Sequence, residues 1–172
     1  GTYPVISLSF ANVKETNYAS TKTRICQLLA DLYDKHYFLL TSGLLTENEK
    51  KFFLSVSMEM DEVIATLALH KLSDFLYRYY GKKVIILLDE YDTPMQEAYI
   101  NGFWNELVAF TRSMFNSTFK TNPSLERAVM TGITRVSKES IFSDLNHLKV
   151  VTTTSDDYAT RRARNLISHH FC

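Results

Sequence analysis

The chain has 172 residues, of which 45% are apolar and 22% are charged, so it is long enough for one domain with a hydrophobic core and too short for two. Nineteen basic and nineteen acidic side chains cancel, which excludes a global charge that would attract nucleic acid or an anionic membrane. The two cysteines exclude a disulfide framework and the apolar runs are too short to span a bilayer, so we expect a cytoplasmic protein without a membrane or nucleic-acid partner.

The first half of the chain is predicted to hold one strand followed by helices. Residues 5–10 alternate in part between apolar and small polar side chains, which is typical of a strand. A stripe of apolar residues at helical spacing then runs through residues 20–43, and residues 46–49 have the form of a capping box. A further stripe over residues 64–79 ends just before Gly81, and glycine is the residue preferred after a helix C-terminus.

The second half alternates between strand and helix patterns. Within residues 83–88, Lys83 is followed by a continuous run of apolar residues. Such a run indicates a strand buried on both faces of a parallel sheet. A helical pattern over residues 103–114 follows, and residues 127–133 again resemble a strand. A short helical piece at residues 137–142 and a last strand at residues 148–152 complete the pattern. Strands separated by helices predict an α/β fold with a largely parallel sheet.

Two acidic residues, Asp89 and Glu90, follow the apolar run directly. The carboxyl end of a parallel strand is the edge of the sheet where ligands bind in open α/β folds. One carboxylate at this edge can hold Mg²⁺ through water, and the next can orient or deprotonate an attacking water. This is the pattern called Walker B. The alternative is that the strand ends at a polar turn and Asp89 caps the segment that follows.

A second polar strand end lies about 40 residues later, in the segment Met130 to Arg135. A right-handed crossover would place this strand beside the first, with both carboxyl ends at the same edge. Thr134 and Arg135 are then candidates to contact a γ-phosphate. An ordinary strand-to-helix turn with Ser137 as the N-cap explains the same residues equally well.

Taken together, these segments closely resemble the bacterial AAA-ATPase-like family, whose longer members carry a PD-(D/E)XK-type nuclease domain at the C-terminal end. The likeness covers residues 3–160 and rests on an ordered set of motifs. In chain order, the matching segments are residues 3–10, 88–94, 131–138, 140–148 and 158–160.

The resemblance implies a fold and a site. It implies a partial P-loop NTPase-like three-layer sandwich with a mainly parallel sheet, and ATP and Mg²⁺ as cofactors. By the same resemblance, Asp89 helps to hold the metal ion and Glu90 is the catalytic residue that activates water. Thr134 and Arg135 are the cofactor-binding residues that sense the γ-phosphate.

The sequence departs from the family pattern at the phosphate loop. Family members begin with a strand, a Gly-Lys-Thr loop and a helix, whereas the nearest pair here, Gly81-Lys82, precedes the Walker B strand and lacks the following hydroxyl. We therefore expect a sheet without the phosphate-loop strand, in which the strand ending at Leu88 lies between the other two. We also expect residues 1–160 to be a partial AAA-ATPase-like domain, residues 161–172 to be an irregular basic tail, and the chain to be a truncated or frameshifted fragment.

Two functions follow from this pattern. The first is ATP binding and hydrolysis by family resemblance, with the chain inactive by itself because the phosphate loop is missing. The alternative is a non-enzymatic protein-interaction module derived from an ATPase domain. Its partner would be a second copy or a full-length relative that pairs with the exposed backbone of the Thr131 strand.

Overall fold

The structure is a computed structural model that describes residues 2–132. A parallel sheet of three strands lies at the centre of the fold. Strand β1 spans Val5–Ser9, β2 spans Val84–Asp89 and β3 spans Leu125–Met130. Strand β2 pairs in parallel with β1 on one side and with β3 on the other. This confirms the predicted α/β class, the parallel direction and the central position of the strand that precedes the acidic residues.

The described residues also contain six helices. In chain order they are α1 (Tyr18–Asp34), α2 (Phe38–Thr41), α3 (Glu47–Ser55), α4 (Glu62–Tyr80), α5 (Thr93–Asn101) and α6 (Trp104–Phe119). None of the helices in this part of the chain is long and apolar enough to cross a membrane.

The ends of the helices follow from local chemistry. The predicted capping box is confirmed: the Thr46 hydroxyl accepts from the Glu49 amide, and the Glu49 carboxylate accepts from the Thr46 amide. Helix α4 ends at Gly81, whose φ of +64° lies in the left-handed region that glycine adopts without steric cost.

Two helical details differ from the sequence patterns. The single stripe over residues 20–43 is split into α1 and α2, because the His36 and Tyr37 amides donate to carbonyls three residues back and tighten the chain after Asp34. Helix α5 was not among the predicted elements. Its signals are Pro94 in its first turn and Gly102 just after its end.

The two faces of the sheet differ in burial, because side chains alternate along a strand. The face that packs against the helices is formed by buried residues: Ile6, Leu8, Val84, Ile86 and Leu88. The opposite side, which we call the open face, carries partly or largely exposed apolar residues: Val5, Ile85, Leu87 and Val129. Within residues 2–132 the helices and the buried face form one core. The described residues thus show an α/β sheet with helices packed on it, and the third layer of the predicted sandwich stays a prediction.

Several further expectations also fall outside the described residues. They are the helical piece at residues 137–142, the strand at residues 148–152, the domain boundary at residue 160 and the basic tail at residues 161–172.

The core contains a buried tyrosine of α1, Tyr33, that hydrogen-bonds to α4. Tyr33 is 1% exposed, its hydroxyl donates to the Ala68 carbonyl at 2.8 Å, and its ring lies 4.7 Å from that of Phe53. Burial raises the pKa of Tyr33 well above the ordinary value of 10.0, because the charged phenolate is poorly solvated there.

We therefore expect Tyr33 to make the folded chain sensitive to alkali. Since the pKa is raised in the folded state, its contribution to stability is complete below pH 10 and is lost as the pH rises above that value. Urea unfolding at several pH values between about 8 and 11 should show a shallower alkaline loss for Tyr33→Phe than for the unchanged chain. Tyr99→Phe, at a tyrosine that is 72% exposed, is the control and should leave the alkaline loss unchanged. An equal alkaline slope for Tyr33→Phe and the unchanged chain would contradict this account.

Candidate functional site

The acid pair, Asp89 and Glu90, lies at the carboxyl edge of the sheet. Asp89 is the last residue of the central strand β2, and Glu90 is the first residue of the turn that leads into α5. In open α/β sheets this edge is where ligands bind. The structure thus places both acids at the edge that the sequence pattern indicated.

Hydroxyl groups from both neighbouring strands contact the Asp89 carboxylate. The Thr131 hydroxyl, directly after β3, donates to Oδ1 at 2.6 Å, and the Ser9 hydroxyl, at the end of β1, donates to Oδ2 at 3.3 Å. The Asp89 side chain is nevertheless exposed. Each carboxylate oxygen has two acceptor positions, so these two bonds leave capacity for a cation or its bound water. Mg²⁺ sites commonly combine one or two carboxylates with substrate phosphates and water, and Asp89 fits a site of this kind.

Glu90 has an unusual backbone conformation. Its φ of +49° lies in the left-handed region, which costs an L-residue roughly 1–2 kcal/mol. Thr93 stabilises this turn twice, because its amide donates to the Glu90 carbonyl at 3.1 Å and its hydroxyl donates to Glu90 Oε2 at 3.3 Å. Among the ion pairs formed by residues 2–132, none involves Asp89 or Glu90. Glu90 is a partly buried carboxylate that can accept a proton or a hydrogen bond from water.

Thr131 is a site residue that the sequence patterns did not single out. Its hydroxyl donates to Asp89 Oδ1 and accepts from the Glu90 amide at 2.9 Å, so it contacts both members of the acid pair. The parallel register explains this position: Met130 pairs with Leu88, which places the next residue of each strand side by side. The proposed phosphate sensors, Thr134 and Arg135, lie outside the described residues.

A second acid after β2, Asp92, is buried with 1% exposure. The Gln96 side chain donates to its Oδ2 at 3.4 Å. A Cβ atom at position 132 would lie 2.7 Å from Asp92 Oδ1, so Gly132 lets the chain after β3 pass against this carboxylate. The turn after β2 and the chain after β3 are therefore in close contact at a second point beyond Thr131.

The acid pair lies at the edge of the sheet, apart from the two clefts described within residues 2–132. Two clefts in the described part of the chain have volumes of about 370 and 340 Å³. The first is lined by residues such as Pro4, His36 and Tyr80, and the second by residues such as Arg24 and Met58. Neither is lined by the acid pair or Thr131.

A parallel α/β sheet with acids at the carboxyl end of its central strand is typical of proteins that bind nucleotides at that edge. The chain belongs to the AAA-ATPase-like family, since the family model described as Predicted AAA-ATPase matches residues 1–142. This confirms the resemblance indicated by the ordered motifs. No curated protein and no solved structure matches the chain.

Proposed function

We propose that the chain supplies the Walker B part of an ATP-hydrolysing site. Asp89 holds Mg²⁺, directly or through water, and Glu90 orients or deprotonates the attacking water. When held there, Mg²⁺ would supply positive charge to offset that of the phosphates. The observation that supports this proposal is the position of both acids at the carboxyl end of the central parallel strand, with Asp89 oriented by hydroxyls from both neighbouring strands.

Two further residues complete the proposed site. Thr134 and Arg135 follow Gly132 by two and three positions in the sequence. A guanidinium group suits a phosphate because it offers several donors in a fixed plane. We assign these two residues the role of contacting the γ-phosphate.

The affinity for ATP must come largely from a phosphate-binding loop. Such loops supply converging backbone amides and a lysine, which together neutralise the triphosphate. The 172 residues contain no Gly-x-x-x-x-Gly-Lys-Ser/Thr segment. We therefore propose that these residues do not hydrolyse ATP by themselves and need a strand, loop and helix of the family type to form the whole site.

The second candidate function is a protein-interaction module, and the open face favours it. Val5 on this face is 46% exposed, and Ile85, Leu87 and Val129 are partly exposed. In the described part of the chain, β3 pairs with β2 alone. A strand edge beside exposed apolar residues can pair with another chain. A second copy or a full-length relative would be the partner.

Binding of ATP with Mg²⁺ tests the first proposal. We expect ATP·Mg²⁺ to stabilise the chain once it is joined upstream to a family-type strand, phosphate loop and helix, by about 2.7 kcal/mol at about 100 times Kd. Asp89→Asn should lose most of the Mg²⁺-dependent part of this stabilisation, because it removes the charge that holds the ion. The thermal midpoint measured with and without Mg²⁺ gives both quantities.

Asp34→Asn is the matched control, since Asp34 is exposed at the end of α1 and far along the chain from the acid pair. It should respond to ATP·Mg²⁺ as the unchanged chain does. If ATP·Mg²⁺ gives no stabilisation and light scattering shows self-association instead, the interaction module is the better account.

A further inference from the structure

We infer that Thr131 is the positioning residue that holds both members of the acid pair in one arrangement, a role that rests on the proposed function of Asp89 and Glu90. One hydroxyl makes two bonds: it donates to Asp89 Oδ1 at 2.6 Å and accepts from the Glu90 amide at 2.9 Å. Since a hydroxyl has one donor and two acceptor positions, both bonds can exist together. The same atom thus contacts both the side chain of the proposed metal ligand and the backbone of the proposed catalytic residue.

The backbone of Thr131 fixes the hydroxyl in place. Its amide donates to the Leu88 carbonyl at 2.9 Å, and its carbonyl accepts from the Tyr91 amide at 3.1 Å. The end of β3 therefore contacts the chain immediately before and immediately after the acid pair. These backbone bonds hold the main chain of Thr131 beside the acid pair, and the two bonds of its hydroxyl favour one side-chain rotamer.

The left-handed backbone at Glu90 explains why this hydroxyl matters. A residue with a φ of +49° departs from the ordinary strand ladder, so its amide needs an acceptor outside that ladder. The Thr131 hydroxyl is this acceptor. The Ser9 hydroxyl also contacts Asp89, at a longer 3.3 Å, but it has no bond to Glu90. Thr131 is thus the residue, within the described chain, that joins the two acids.

The test compares three variants of the 172-residue chain by amide hydrogen exchange, measured residue by residue with NMR. Thr131→Val keeps the side-chain shape and removes the hydroxyl, whereas Thr131→Ser keeps the hydroxyl. We expect Thr131→Val to speed exchange at the Glu90 amide by about tenfold or more, since that amide loses its acceptor. Exchange at the Tyr91 amide, which is bonded to the Thr131 backbone, should change little. Thr131→Ser should behave like the unchanged chain.

Thr111→Val is the matched control, because it makes the same substitution at a buried site whose hydroxyl has a weak 3.9 Å contact with the Met95 sulfur. It should leave exchange at Glu90 unchanged. The inference is overturned if Thr131→Val leaves Glu90 exchange unaltered. It is also overturned if Thr131→Val speeds exchange equally along β2 and β3, since Thr131 would then be a general structural residue.

A second readout separates this inference from the proposed function. Millimolar Mn²⁺, used as the probe, should broaden the Asp89 and Glu90 resonances of the unchanged chain, and Thr131→Val should weaken this binding by about 10- to 100-fold. If the unchanged chain shows no broadening, Asp89 does not hold a divalent ion without nucleotide phosphates, and the exchange experiment alone decides the role of Thr131. If Mn²⁺ broadens both proteins equally, Thr131 does not position the metal ligand and the inference is wrong.

Discussion

Replacing Glu90 by glutamine should abolish ATP turnover while sparing ATP binding, in the chain joined upstream to a family-type strand, phosphate loop and helix. Glutamine keeps the size of the side chain and its contact with Thr93, but it cannot take a proton from the attacking water. A positioned general base contributes about 10²- to 10⁴-fold to a rate, so kcat should fall by that factor with little change in the Kd for ATP. Steady-state phosphate release and equilibrium nucleotide titration measure the two quantities.

Two controls accompany this prediction. Glu126→Gln makes the same substitution at an exposed residue of β3 and should leave kcat unchanged. The 172-residue chain without the added segment should release phosphate no faster than buffer, because the acids alone repel the triphosphate. If the 172-residue chain hydrolyses ATP and Glu90→Gln removes this activity, turnover does not require the phosphate loop. If the extended chain binds ATP and Glu90→Gln leaves its kcat unchanged, Glu90 is not the catalytic residue.

The sheet could be predicted from sequence because its central strand carries a strong local signal. Residues 84–88 are continuously apolar, and they form β2, whose two neighbours pair with it on both sides. The order of the strands came from the family resemblance together with the missing phosphate loop. The capping box at Thr46 and the glycine after α4 are local chemistry and were also predictable. In each case the signal lies within a few residues of the element it specifies.

The organisation of the acid pair could not be predicted in the same way, because it depends on residues about 40 positions apart. Thr131 meets Asp89 because of the register between β2 and β3, which no local pattern specifies. The predicted strand at residues 127–133 is shifted from the observed β3, Leu125–Met130. Strand pairing begins earlier, where the Val84 amide donates to the Ser124 carbonyl. The predicted strand therefore ended at residue 133, and the candidate residues at its end were Thr134 and Arg135 rather than Thr131.

The burial of Asp92 could not be predicted either, because it also depends on residues distant in the sequence. An acid after Asp-Glu-Tyr has the sequence pattern of a solvated turn, and the sequence does not show that Gly132 packs against its carboxylate. The left-handed backbone at Glu90 also depends on acceptors and donors that tertiary structure brings to it. Local propensity would have placed glycine or asparagine at such a position.

The two faces of the sheet predict a large difference in stability between substitutions at adjacent isoleucines. Ile86 is fully buried on the helix-covered face, beside Ile6 and Ala128 of the neighbouring strands. Ile86→Ala should therefore lower the free energy of unfolding by about 2–5 kcal/mol, because it removes buried carbon atoms and leaves a cavity that rigid strands cannot close. Denaturant unfolding of the 172-residue chain measures this loss.

Ile85→Ala is the matched control, since it makes the same change one residue earlier in the same strand. Ile85 lies on the open face and is only partly buried, so the truncation should cost about 1 kcal/mol, which reflects lost strand propensity and partial burial. An equal loss at the two positions would mean that the open face is covered as completely as the other in the folded chain. A smaller loss at Ile86 than at Ile85 would contradict the assignment of the core to the helix-covered side of the sheet.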